Sequence, residues 1–482
     1  MNNETALKPK ASRGIFPLSP ALAETVAFWL LVFLIWVPLV QSPMYLLYVL
    51  ERTAWIQYNV VSYAIGYTFY FAQVLCVLFA LWYLLSWVYA LVKGERSFSF
   101  APGKLLREHP LGVLFTAFLV LGLVGTLRAE NVARAIFGDK QRVDGYFAYL
   151  GYGAIILTAS LVREKRKRML LLKNFLIMMT LCGVLMLCQQ FEMPIVSEIF
   201  WMKGAAFFRN SNHFGYIVAI AALAAAGFLL FGSEKKQRVR GGVLMALFLL
   251  VLFYNNTLGC HVAVLCAFLL AALLYKPSTG RWRLTALLPF AVYFALLVLT
   301  YLIPEGRFAC AFVRENLLAA SEDMKFLTGQ LQDVGASSQV SQAAGRLVLW
   351  QHTLSIIAQK PLFGWGPEHI AQTFTQAGVL FSDSPHNEYL TMAAYFGVPA
   401  ALCCYGGEIW LFIKRVRGVK AMRLTTMVAL LGAFAYAVSA FFGVSMSHAA
   451  SYYYLMLGLV AGGEAAQEAP VPCESAEQKR AA

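Results

Sequence analysis

The sequence predicts an all-α membrane protein of about twelve spanning helices with one large exterior helical loop, and three observations carry that reading. Of its 482 residues 60% are hydrophobic and 13% charged, where an average soluble domain is roughly 25% charged. The apolar residues gather into blocks of about 18 to 25, the length a helix needs to cross a bilayer. The charges, 39 Lys and Arg against 25 Asp and Glu, sit mostly in the short loops between those blocks. A formal charge of +14 on one surface would suggest a nucleic-acid partner. Cations parcelled out between spans report membrane orientation instead, so the membrane and no nucleic acid is expected as partner.

Residues 1–25 carry Lys8, Lys10 and Arg13 ahead of a long apolar block with no small-residue cleavage site. They predict a cytoplasmic N-terminal segment leading into a retained helix, not a removed signal peptide. Nine spans are expected within 26–303, near 26–46, 68–92, 110–127, 146–162, 173–191, 213–231, 241–254, 258–275 and 284–303. Three more fall within 386–463, near 387–412, 424–443 and 447–463. With the N-terminus inside, the cytoplasmic loops hold Lys93 and Arg96, the runs Arg163 to Arg168 and Lys235 to Arg240, then Lys276 to Arg283 and Lys414 to Arg423. Residues 464–482, rich in Ala, Glu, Gln and Pro, cannot bury a core and are expected to be a disordered cytoplasmic tail. Seven of the cysteines, Cys76, Cys182, Cys188, Cys260, Cys266, Cys403 and Cys404, fall in apolar blocks. A thiol there behaves as a small hydrophobe, and no structural disulfide is expected.

The connection 304–385 is far longer than a membrane hairpin needs, and long connections usually carry function. Within it Arg307 to Val334 and Ala343 to Gln359 alternate apolar and polar residues at helical spacing, the second with Leu347, Trp350, Leu354 and Ile357 near one face. Pro361, Gly364, Gly366 and Pro367 break the pattern, and Pro367 is placed to open a short helix through Gln376. A small helical cap over the exterior face follows.

Charged side chains near the middle of a span are functional candidates by default. Here they are almost absent, Glu408 being assigned to the cytoplasmic end of its helix, which argues against a proton-coupled transporter. The exterior loops instead gather Arg128, Arg134, Lys140, Arg142, Lys203, Arg209, Arg346, His213, His352, His369 and His386, on the side where positive charge is normally sparse. A cationic exterior cleft suits an anionic ligand, and the planar guanidinium fork suits a diphosphate. No Asp-x-Asp or Glu-x-Asp pattern is present, so neither a metal nor another cofactor is expected.

Three strings stand out. Arg142-Val143-Asp144-Gly145-Tyr146 precedes a span, where an interfacial anchor with an Asp-Gly turn is the plain alternative. Gly345-Arg346 opens an amphipathic helix containing Trp350, which stops at Pro361-Leu362-Phe363-Gly364-Trp365-Gly366; alone this reads equally as a packed helix and its stop. Ser384-Pro385-His386-Asn387-Glu388-Tyr389-Leu390 puts a histidine at the mouth of the next span, a position more often structural than catalytic.

Taken in order, the last two strings resemble the signature of the O-antigen ligase and polymerase superfamily of bacterial membrane glycosyltransferases: Gly-Arg, Trp, Pro-Leu-x-Gly-x-Gly, then His-Asn-x-x-Leu at the next span. The resemblance extends to the number of spans, to one large loop before the last three, and to Arg142, which is similar to the Arg of the family's Arg-x-x-Gly segment. One departure is Asn256-Thr257-Leu258-Gly259-Cys260-His261-Val262-Ala263, where many members carry Thr-x-Ser-Arg-Gly-Ala. The basic residue is missing, and whether His261 replaces it is left open.

The resemblance implies a GT-C-like helical fold in the bacterial inner membrane, with both termini cytoplasmic. It implies metal-independent, inverting transfer of a glycan from a lipid-linked donor, an undecaprenyl diphosphate, to a hydroxyl of a glycan or lipid acceptor. On that reading Arg346 and Arg142, with Arg209 as a weaker third, would neutralise the diphosphate, and His386 would orient or deprotonate the acceptor. Trp350, Gly364, Gly366 and Asn387 would form the loop motif around them. The alternatives are a polymerase of the same superfamily, a transporter of a small anion or glycan, and a scaffold without chemistry.

Overall fold

The computed structural model describes residues 17–41, 62–95, 101–139, 143–191, 204–208, 210–279, 284–302, 344–376, 382, 384–444 and 446–464. The first sixteen residues, the expected helix from Arg307 to Val334 and the tail beyond Glu464 lie outside them. The described residues form α-helices and short 3-10 turns, with no strand. In chain order the helices are α1 (Pro20–Val40), α2 (Ser62–Val92), α3 (Pro102–Glu108), α4 (Pro110–Leu127), α5 (Val132–Phe137), α6 (Tyr146–Leu161), α7 (Lys165–Gln190), α8 (Ser211–Phe231), α9 (Lys235–Asn255) and α10 (Leu258–Thr279). They continue as α11 (Leu288–Leu302), α12 (Ala344–Gln359), α13 (Ala371–Gln376), α14 (Glu388–Phe396), α15 (Val398–Arg417), α16 (Leu424–Ser439) and α17 (Ser447–Ala461).

Where the predicted spans fall on described residues they overlap helix, and among the described residues eight helices are long and apolar enough to cross a membrane. The rest of the expected twelve are short, as in α6, α11 and α17, or, in α15, interrupted by charge. The bundle closes around α8, whose alanine-rich stretch Ala219 to Ala226 is wholly buried. Small residues let helix backbones approach closely where no hydrophobic effect drives them together. Accordingly a Cβ added to Gly227 of α8 would stand 3.0 Å from Val428, and one added to Gly432 of α16 would stand 3.0 Å from Ile220.

The span expected at 387–412 is two helices. Gly397, at φ +87°, ends α14 in the left-handed region, and α15 restarts at once with Pro399 in its first turn. Glu408 is therefore ten residues into a twenty-residue helix, about 15 Å from its start. It is not at the cytoplasmic end: it is buried, and its Oε2 accepts a 2.6 Å bond from the Tyr453 hydroxyl.

At the basic end of the bundle, Arg168 is fully buried and ties three helix ends together. Its guanidinium donates to Val162 O at 3.2 Å and Leu459 O at 2.5 Å, and to the Thr425 and Thr426 hydroxyls at 3.3 and 3.1 Å. The two carbonyls belong to the ends of α6 and α17, where helices leave acceptors without intrahelical partners. Arg168→Leu strands both, at a cost of about 1–3 kcal/mol each. The expected result is a lowered thermal unfolding midpoint in detergent, with no shift for Arg166→Leu, which is exposed.

Candidate functional site at the loop and helix break

The break at Gly397 leaves backbone groups of α14 and α15 without helical partners, and the turn that follows α12 supplies them. Trp365 N–H donates to Ala394 O and Gly366 N–H to Tyr395 O, both at 2.9 Å, while Val398 N–H donates to Pro361 O at 2.8 Å. The fit requires glycine: Gly364 and Gly366 are left-handed at φ +66° and +86°, and a Cβ on Gly364 would collide with the carbonyls of Ala394 and Tyr395. The indole of Trp365 donates to Ile356 O at 3.0 Å, and Lys360 Nζ stands 3.8 Å over its ring. Gly364 and Gly366 thus fasten the turn after α12 to the junction of α14 and α15.

The short helix expected from Pro367 begins at Ala371 instead. Glu368 takes a left-handed φ of +63°, which helix geometry does not admit, and the chain turns there. Beside it His369 Nε2 accepts from Asn131 N–H at 3.0 Å while its Nδ1 lies 2.7 Å from Pro367 O. The imidazole clips the loop to the segment between α4 and α5. His369→Ala removes the clip, and faster hydrogen exchange at the Asn131 amide is expected, by about fivefold for a bond worth about 1 kcal/mol.

Arg346 lies in the first turn of α12 and is half-buried. Trp350 is one turn further on, so the two share a face about 6 Å apart along the helix. Its indole donates to Pro385 O at 3.0 Å, the carbonyl immediately before His386. On the other side Asn387 caps α14, its Oδ1 accepting from Leu390 N–H at 3.1 Å. Between tether and cap His386 is held at φ +48°, a left-handed conformation uncommon outside glycine. Such strain persists where the surroundings over-determine it, and it concentrates at functional sites.

The stripe that α12 buries is Leu349, Thr353 and Ile356 with Ile357, whereas Leu354 is 56% exposed. The inward face is thus rotated from the one expected, which leaves Trp350 at the edge, where it reaches Pro385. Behind His386, Glu388 is buried and accepts from the Tyr436 hydroxyl at 3.3 Å, and the Tyr436 ring lies 6.0 Å from Tyr216. Close by, His448 Nε2 and His213 Nδ1 meet at 3.0 Å in a buried pair. None of Glu388, Tyr436, Tyr216 and His448 belongs to the predicted set. The rule that polar groups inside spans are functional, extended from charged side chains to histidine and tyrosine, flags Tyr216, Tyr436 and His448.

Arg142, Arg209, Lys140 and Lys203 lie outside the described residues. Next to Arg142, Asp144 is buried and bonded at 3.5 Å to the Tyr152 hydroxyl. The other exterior cations do not all converge on one cleft. Arg128 lies 5.3 Å from the Phe363 ring centre, Arg134 pairs with Asp139 at 4.0 Å, and His352 packs 4.9 Å from Phe374. His261 is buried, with Nδ1 2.9 Å from the Tyr293 hydroxyl and its ring 4.9 Å from Phe253, in the packing of α10 against α9 and α11.

Fold and site define a multi-pass helical membrane protein in which the helix carrying Arg346 is tied, through Trp350, to the residue before a left-handed histidine at the head of a broken helix. Residues 243–405, about a third of the chain and including Arg346, Trp350, Gly364, Gly366, His386 and Asn387, match the family model for O-antigen ligase. Through that segment the chain is similar to the O-antigen ligase family. A comparison with curated proteins finds no match.

Proposed function

We propose that the protein moves a glycan from an undecaprenyl-diphosphate carrier to an acceptor hydroxyl at the extracytoplasmic face of a bacterial inner membrane, with both termini cytoplasmic. The observation that carries the reading is the tether of Trp350, one helical turn from Arg346, to the carbonyl just before His386, whose backbone is left-handed. His386 takes the proton of the acceptor hydroxyl as its oxygen attacks the anomeric carbon. The bond to the diphosphate breaks, and undecaprenyl diphosphate leaves with the charge developed on its oxygen. Arg346, joined by Arg142 and Arg209, neutralises that charge, the part a metal ion plays in other transferases. A single displacement inverts the anomeric configuration. Ligase and polymerase share this chemistry and differ in the acceptor, a different molecule or another growing chain.

A second reading, transport of an anionic glycan, gains from Glu408, since a buried carboxylate midway along a helix is what a coupled transporter would place there. One experiment separates the two. The protein is reconstituted with a lipid-diphosphate-linked oligosaccharide and candidate acceptors, with and without chelator, and release of undecaprenyl diphosphate is followed. Acceptor-dependent release that ignores chelator and yields an inverted linkage is expected. An intact donor with every acceptor, or a retained linkage, overturns the proposal.

A further inference from the structure

A cleft of about 570 Å³ opens between α2, α4 and α6, at the opposite end of the bundle from His386, within the range of small-molecule and lipid pockets. Its apolar walls include Leu81 and Leu84 of α2, Phe115 and Leu119 of α4 and Leu157 of α6. Leu81 and Leu84 are about half exposed although they lie mid-helix in a spanning segment, so the cleft opens sideways, toward where lipid would lie. Small residues keep it hollow: no heavy atom lies within 4 Å of a Cβ built on Gly112, and one built on Gly153 would stand 3.0 Å from Phe115.

The mouth is polar at one end only. Arg163, His109, Glu108 and Lys414 line it there. Lys414 is held in place by the carbonyls of Arg107 and Glu108 at 3.3 and 3.1 Å. The nearby carboxylates are engaged: Glu108 with Lys104 at 4.0 Å, and Glu24 with the backbone N–H groups of Arg163 and Glu164 at 2.7 and 2.6 Å. Of the charged side chains that line the cleft, Arg163 and Lys414 outnumber Glu108, which leaves the mouth net positive. Lys414 lies sixteen residues into α15, about 24 Å from the helix break, so this is not the glycan site.

An apolar slot open to the membrane and crowned by cations at one end is complementary to an amphiphile with a long hydrocarbon chain and an anionic head. We propose that the cleft binds an anionic phospholipid of the leaflet at the basic end, its phosphate on Arg163 and Lys414 and one acyl chain between α2, α4 and α6. A zwitterionic lipid would bring its own cation against the same side chains and is disfavoured. The site therefore couples the protein to the acidic lipid content of its membrane, and it does not depend on the reaction proposed above.

The test uses the full-length protein in nanodiscs of mixed phosphatidylcholine and isotopically labelled phosphatidylglycerol, extracted gently and weighed for retained lipid by native mass spectrometry. Wild type is expected to retain phosphatidylglycerol over phosphatidylcholine, and Arg163→Gln/Lys414→Gln to lower that preference by about 30-fold, as loss of two headgroup cations implies. Lys165→Gln/Arg166→Gln removes equal charge from exposed positions in the first turn of α7 and is expected to leave the preference intact. Gly153→Leu is expected to lose retained lipid of either kind, and if it fails to fold the charge pair alone decides. Equal retention of both lipids by wild type, an unaltered preference in Arg163→Gln/Lys414→Gln, or the same loss in the α7 control would overturn the site. Displacement of labelled phosphatidylglycerol by an equimolar amount of undecaprenyl phosphate would overturn the choice of a phospholipid as occupant.

Discussion

His386→Ala is expected to lower glycan transfer by about 10²–10⁴-fold, the range that a general base contributes. The protein should still fold, because the substitution keeps the bonds that the Pro385 carbonyl and the Asn387 side chain make on either side of it. Arg346→Ala is expected to cost about 10²–10³-fold by removing a donor aimed at developing negative charge. Arg346→Lys should recover little of that loss, since an ammonium cannot reproduce the planar two-pronged contact with a diphosphate. The measurement is single-turnover release of undecaprenyl diphosphate, with the thermal midpoint recorded for each variant. Near-wild-type rates in well-folded His386→Ala would remove the histidine from the chemistry. A rate fully restored by lysine would reduce Arg346 to a point charge.

Gly364→Val is the substitution expected to hurt stability most. It places a β-branched side chain at φ +66° and drives its Cβ into the carbonyls of Ala394 and Tyr395. Backbone strain of this kind costs on the order of 1–3 kcal/mol before any collision is counted. Relief requires the turn to leave the break, which would strand the Ala394, Tyr395 and Pro361 carbonyls together. A large fall in thermal midpoint accompanied by loss of transfer is therefore expected. Gly406→Ala is the control: no heavy atom lies within 4 Å of an added Cβ, and alanine is the better helix former, so the midpoint should hold or rise slightly. Equal effects at the two glycines would mean that the docked turn does not support the fold as described.

Most of the helical framework was legible because apolar blocks of spanning length are a coarse signal that survives errors of several residues at each end. The break at Gly397 was harder to see, since hydrophobicity runs on through Phe396, Val398 and Ala400. The mark was present as a glycine two residues ahead of Pro399, the pairing that ends one helix and opens the next. Arg346, Trp350 and His386 could be found because they lie in one stretch of chain in a recognisable order. The His213 and His448 pair could not, as its partners stand 235 residues apart and only packing brings them together. Glu388 was visible, but its use was not: the Tyr436 hydroxyl that it accepts from arrives from a different span. The exterior cations illustrate the opposite error. Counting them by side suggested one cleft, whereas Arg128, Arg134, His352 and His369 have each been taken up by a local contact.

The mutual capping of turn and broken span has a mechanical side. A loop attached by three backbone hydrogen bonds does not swing like a lid on a hinge; it rides on α14 and the head of α15 as one stiff lever. Any tilt that widens the space between Arg346 and the bundle must be carried down α15, past the contact of Glu408 with Tyr453, to Arg415, whose guanidinium grips the last carbonyls of α17 at Val460 and Ala461. That grip is the fulcrum. Admission of a bulky lipid-linked donor at one end would then register as a load at the other.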